Sequence, residues 1–219
     1  MVYIEYTNEP DIDGFGAADV NPIYHRVANA VTTVNASLPA GVKPLKVGGT
    51  ATATSGSLFT RDLINYCAAN GVPLDFVSWH HYGLDPQNYA YTDVDRIQGW
   101  LRDAGLDQNM EMFITEWNYA FSNPGPNSIG DARHASFAAL GVRHWLDAGP
   151  SVYPCWFSLN DYVNGRRSLF INNESDPQDG KVSAAYNVYR MVSMLKTDRV
   201  GVTLGGVPGS AGSVASVDE

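Results

Sequence analysis

Two carboxylates in this chain each follow a run of residues that reads as a buried strand. Glu9 comes near the end of Ile4-Glu5-Tyr6-Thr7-Asn8-Glu9-Pro10, and Glu116 sits in Met112-Phe113-Ile114-Thr115-Glu116-Trp117-Asn118. A third such run, Asp75-Phe76-Val77-Ser78-Trp79-His80-His81-Tyr82, lies between them. Functional groups at the C-terminal ends of successive strands are what a (β/α) barrel uses for chemistry. Two glutamates so placed suit the cleavage of a glycosidic bond, in which one carboxyl supplies a proton and the other attacks the sugar.

Each residue also has a plainer reading. Pro10 cannot continue a strand ladder, so it pins Glu9 at the strand end. Asn8 beside it can bond a ligand hydroxyl, or the triplet can be a turn with a solvated carboxylate. Glu116 ends a very apolar run, where an unpaired charge is costly. It is therefore either salt-bridged or held for reactivity. His80 and His81 point to opposite faces of a strand, so only one can face a barrel interior, and the pair is no zinc signature. The Tyr82 hydroxyl can donate to a carboxylate. Trp117, directly after Glu116, and Trp156, in Tyr153-Pro154-Cys155-Trp156-Phe157, are rings that could contact a sugar or fill the core.

The elements that must position these groups follow from apolar periodicity. Near-continuous apolar runs predict strands over 2–6, 45–49, 76–81, 111–115 and 152–158, of the kind covered on both faces. Between them, helical spacing predicts helices over 23–35, 58–69, 94–104, 129–148 and 181–195, with Gly71, Gly105 and Gly149 as stops. The order is five βα units, an α/β architecture with right-handed crossovers. From residue 199 the character changes, and 200–204 with 213–217 reads as a hairpin that begins a separate β element.

Bulk properties narrow the function. A net charge of −9 over 219 residues argues against nucleic acid, which needs a basic footprint, and is compatible with neutral sugars. Nothing approaches the roughly 18 apolar residues of a membrane span. The start lacks a signal-peptide pattern, so no compartment is predicted. Cys67 and Cys155 each sit in apolar surroundings, which predicts two buried free thiols. No cofactor or metal is expected.

Taken in order, Asn8-Glu9-Pro10-Asp11, Val47-Gly48-Gly49, the run from Asp75 to Tyr82, Thr115-Glu116-Trp117-Asn118 and Cys155-Trp156-Phe157-Ser158 resemble the landmarks of clan A glycoside hydrolases. Within that clan the chain most resembles family 39, the β-xylosidase and α-L-iduronidase type. The resemblance implies a retaining hydrolase with Glu9 as acid/base and Glu116 as nucleophile. Asn8 would be the ligand of the sugar 2-OH, and one of His80 and His81 would face the substrate. Tyr82 would lie beside the nucleophile, with Trp117 and Trp156 in the substrate-binding set. It also implies that residues 1–197 are strands 4–8 of a (β/α)8 TIM barrel and that 198–219 begin an accessory β-domain. Strands 1–3 have no counterpart. The expected partner is a carbohydrate, with either other copies of the chain or a missing N-terminal segment covering the open edges. The competing expectations are an inactive fragment and a sugar-binding or assembly subunit.

Overall fold

The computed structural model describes residues 2–119, 131–160, 168–172, 174, 176–196, 198–200, 202 and 214–217. Five strands and five helices alternate: β1 (Tyr3–Tyr6), α1 (Ala17–Ala36), β2 (Lys46–Thr52), α2 (Leu58–Asn70), β3 (Phe76–Gly83), α3 (Pro86–Asp103), β4 (Glu111–Tyr119), α4 (Ala132–Ala148), β5 (Val152–Trp156) and α5 (Ala184–Val192). They form one sheet in the order β1-β2-β3-β4-β5. β1 pairs with β2, and β2 with β3, in parallel. Strand order that follows chain order, with a helix in each crossover, is the arrangement of a (β/α) barrel segment.

All but the first residue of β2 and the first five of β3 are buried, as strands covered on both faces should be. Gly48 and Gly49 let the strands approach. A Cβ at Gly48 would collide with the backbone and ring of Phe76, and one at Gly49 would lie 2.7 Å from the Tyr6 carbonyl.

The helix starts depart most from the periodicity, and capping explains each one. α1 begins six residues before the predicted start, where the Gly16 N–H donates to Asp19 Oδ2 at 3.2 Å. Pro22 is carried inside that helix, at the loss of one backbone hydrogen bond, while Val20 and Asn21 are buried. α3 begins eight residues early, with Pro86 in the first turn and Asp85 Oδ1 accepting from Gln87 N–H at 3.0 Å. At α4, Asp131 accepts from Arg133 and His134 N–H. Residues 129 and 130 of the predicted span lie outside the described residues. Of the expected hairpin, β6 (Asp198–Val200) pairs antiparallel with β7 (Ala215–Val217); residues 201 and 203–213 lie outside the described residues.

The chain divides into two compact units. The first holds 1–81, 92–116 and 150–155, and the second holds 82–91, 117–149 and 156–219. The core of the first lies between α1, α2 and the sheet, where Tyr24, Ala28, Val31, Val47, Leu63 and Cys67 are buried together. In the second, Ala138 of α4 meets Ala185 and Val188 of α5, with Trp156 packed against them. Both cysteines are free, but only Cys67 is buried and Cys155 is exposed. Among the described residues no helix is long and apolar enough to cross a membrane.

Candidate active site

The turn that carries Glu9 is stitched to the end of β2. Thr7 and Glu9 have φ of +70° and +44°, and Ala51 across from them has +49°. Such left-handed conformations cost about 1–3 kcal/mol each and persist only where the surroundings hold them. Here Thr7 Oγ1 donates to the Thr50 carbonyl at 2.8 Å, and Glu9 N–H donates to the Ala51 carbonyl at 2.8 Å. Ala53 N–H donates to Asp11 Oδ1 at 3.0 Å. The β2–β3 ladder shifts register between Thr50 and Thr52, and there Ala51 N–H is taken by Ser78 Oγ of β3 at 3.1 Å.

His80 fills the space between the two predicted carboxylates. Its ring is 1% exposed, and Nδ1 lies 2.9 Å from Glu9 Oε1 and 3.6 Å from Glu116 Oε2. The side chains of Glu9 and Glu116 are 25% and 22% exposed, so both reach solvent in part. One oxygen of each carboxyl and one imidazole nitrogen all lie within 4.8 Å of one another. Two carboxylates and an imidazole are also a donor set that a divalent cation accepts. In the structure Nδ1 and Glu9 Oε1 are hydrogen-bonded at 2.9 Å.

The adjacent histidine goes the other way. His81 Nδ1 lies 2.6 Å from Asp93 Oδ2, and Asp93 also accepts from Trp79 Nε1 at 3.2 Å. Strand alternation thus gives His80 to the carboxylates and His81 to α3. Asn8 is exposed beside Glu9.

The remaining predicted residues belong to the second unit. The Tyr82 ring meets Phe157 edge-on at 6.4 Å. Trp117 is 2% exposed and sits among Phe137, Trp145 and Trp156, at 5.8, 6.2 and 4.9 Å between ring centroids. Trp156 packs further on His134 and Tyr189. Asn118, which is not among the predicted site residues, is buried. It donates to the Phe157 carbonyl and accepts from Tyr119 N–H, and its Oδ1 lies 2.6 Å from His134 Nε2. A polar residue in the run continuing the predicted strand 111–115 was the available signal for it. Asp93, on a helix and remote in sequence from either glutamate, gave none.

Comparison with known proteins bears on the same strands. The family model described as glycosyl hydrolases family 39 matches residues 2–143. A β-xylosidase of Caldicellulosiruptor saccharolyticus is 27% identical over 173 residues, covering 70% of this chain and 32% of that protein. A family 39 enzyme from Xanthomonas axonopodis pv. citri superposes with a TM-score of 0.68 at 21% identity, covering 99% of this chain and 44% of that one. A glucosidase from Croceicoccus marinus gives 0.70 at 20% identity, with 91% and 42% covered. The likeness shows the fold, a partial (β/α) barrel, and the chain spans about a third of the length of that β-xylosidase and under half of those structures. With the family model matching well over half of its residues, the chain belongs to glycosyl hydrolases family 39.

Proposed function

We propose that this chain carries the catalytic pair of a retaining glycoside hydrolase, with Glu116 as nucleophile and Glu9 as acid/base. The observation that supports it best is the proximity of the pair: one oxygen of each carboxyl lies within 4.8 Å of the other, with His80 Nδ1 at 2.9 and 3.6 Å from the two. Retaining enzymes hold the two carboxyls about 5–5.5 Å apart, whereas inverting enzymes leave about 6.5–9.5 Å to admit a water. In the first step a Glu116 oxygen forms a bond to the anomeric carbon as the glycosidic C–O bond breaks. Glu9 gives its proton to the departing oxygen. In the second step Glu9 takes a proton from water, the water oxygen bonds to the anomeric carbon, and Glu116 leaves as carboxylate. Asn8, exposed beside the acid, is the proposed ligand of the sugar 2-OH.

The substrate class is a glycoside, and a panel of nitrophenyl glycosides led by xyloside and glucoside tests it, since the named relatives are a β-xylosidase and a glucosidase. Release that disappears in Glu116→Ala supports the proposal. A folded chain that binds sugar without releasing nitrophenol from any of the panel would contradict it.

A second reading, binding or assembly without turnover, is favoured by the state of the sheet. Tyr3 and Tyr153 are 36% and 40% exposed, yet both pack on Phe113, which also meets Phe76. The Lys46–Glu111 ion pair lies beside that layer, with Tyr3 Oη donating to Glu111. Half-open aromatic rings on the sheet's ring-lined face are a surface that further strands would cover. We place the covering partners at β1 and β5, the two ends of the sheet.

A further inference from the structure

Asp93 of α3 is a buried carboxylate that the proposed reaction does not use. The residue is 3% exposed and accepts four contacts. Ser55 Oγ donates to Oδ1 at 2.5 Å and Arg96 Nη1 lies 3.4 Å from the same oxygen. Trp79 Nε1 and His81 Nδ1 reach Oδ2 at 3.2 and 2.6 Å. Arg96 Nη1 also donates to Ser55 Oγ at 2.5 Å. A carboxylate taken out of water is costly, and a buried ionic network is weak evidence for a gain in stability.

What the network grips is specific. Trp79 and His81 flank His80 in β3 and lie on the strand face opposite to it. Ser55 lies in the segment that follows β2, two residues beyond Ala53, whose N–H is held by Asp11, and four beyond Ala51, whose carbonyl holds Glu9 N–H. One carboxylate therefore fixes the strand that presents His80 and the segment that braces the strained Glu9 turn.

We infer that Asp93 is a positioning residue for the Glu9–His80–Glu116 cluster, acting through Trp79, His81 and Ser55 rather than on a ligand. Its removal frees β3 and the post-β2 segment together, so His80 and Glu9 lose register with each other while the α/β layers stay packed. The kinetic consequence rests on the glycosidase reading; the structural consequence does not.

The test is Asp93→Asn, which keeps the shape and removes the charge, read in two ways. Imidazole ¹H–¹⁵N spectra, with His80 and His81 assigned from His80→Gln and His81→Gln, report the cluster without any turnover. The expected result is a change at both histidines, with a folded, cooperative unfolding transition retained. A change at His81 alone, with His80 as in the parent chain, overturns the inference. If Asp93→Asn does not fold, Ser55→Ala, which removes one donor only, decides by the same His80 signal. In the nitrophenyl glycoside assay, kcat should fall about 10- to 100-fold with KM within about twofold, as for a small misplacement of reacting groups. A parent chain without turnover contradicts the glycosidase reading and leaves the spectra to judge Asp93.

Discussion

One imidazole nitrogen of His80 is hydrogen-bonded to Glu9 Oε1 at 2.9 Å and lies 3.6 Å from Glu116 Oε2, an ion-pair distance. That geometry makes His80 the residue on which the pair depends. A charge-assisted hydrogen bond is worth about 1.5–3 kcal/mol, or about one to two powers of ten in rate if it acts in the transition state. His80→Phe is accordingly expected to lower kcat/KM about 10- to 100-fold, and His80→Gln, which keeps a donor, less. Equal losses in the two variants would mean that shape rather than donation matters. The sequence predicts that one of the adjacent histidines faces inward, because strand alternation demands it. It could not say which, because parity is fixed only by pairing register, and β2 and β3 change register at Thr50–Thr52, just before that position. The glutamates were legible because each ends an apolar run. Asp93 was not, since its partners come from β3 and the segment after β2.

At the scale of elements, apolar periodicity located every strand and helix of the sheet, and the errors lie at the ends. Helix starts are set by single side chains such as Asp19, Asp85 and Asp131, whose effect is local and leaves no period behind. Two elements carry predictions of their own. In α4 a Cβ at Gly141 would collide with the Trp117 ring, so Gly141→Ala should cost about 1–3 kcal/mol in urea unfolding by overpacking. An unchanged midpoint would mean the Trp117 ring can give way. Also in α4, His144 is 5% exposed, its Nδ1 lies 3.2 Å from Arg143 Nη1, and its Nε2 has no hydrogen-bond partner. Burial first, and the Arg143 charge second, hold its folded pKa below the ordinary value. The unfolded chain then takes up the proton first as pH falls. The stability from neutral His144 is whole above about pH 6.5 and is lost on descent toward the lower folded value. Urea midpoints between pH 7.5 and 5 should fall more for the parent chain than for His144→Gln, and parallel curves would contradict this.

For the whole molecule, the five βα units were readable from apolar periodicity, while their reading as part of a larger barrel came from the family resemblance. The two-unit division was not readable, because it cuts across β3, β4 and β5 rather than following the linear sequence. The open sheet has a chemical reporter. Cys67 is 1% exposed, with its thiol pushed up to about 12 by burial, while Cys155 at the β5 end is exposed and its thiol is raised less far, by partial burial and by Glu5. Iodoacetamide at pH 8 should modify one thiol per folded chain, Cys155, and two in urea. Protection of Cys155 that grows with protein concentration would identify other copies as the cover for β5. The central claim is the assignment of the two glutamates, and covalent trapping addresses it most directly. Incubation with 2-deoxy-2-fluoro glycosides bearing a good leaving group, followed by peptide mass analysis, should place a single fluoroglycosyl adduct on Glu116 and none on Glu116→Ala. An adduct on Glu9, or turnover with inverted anomeric configuration and no adduct, would contradict the account.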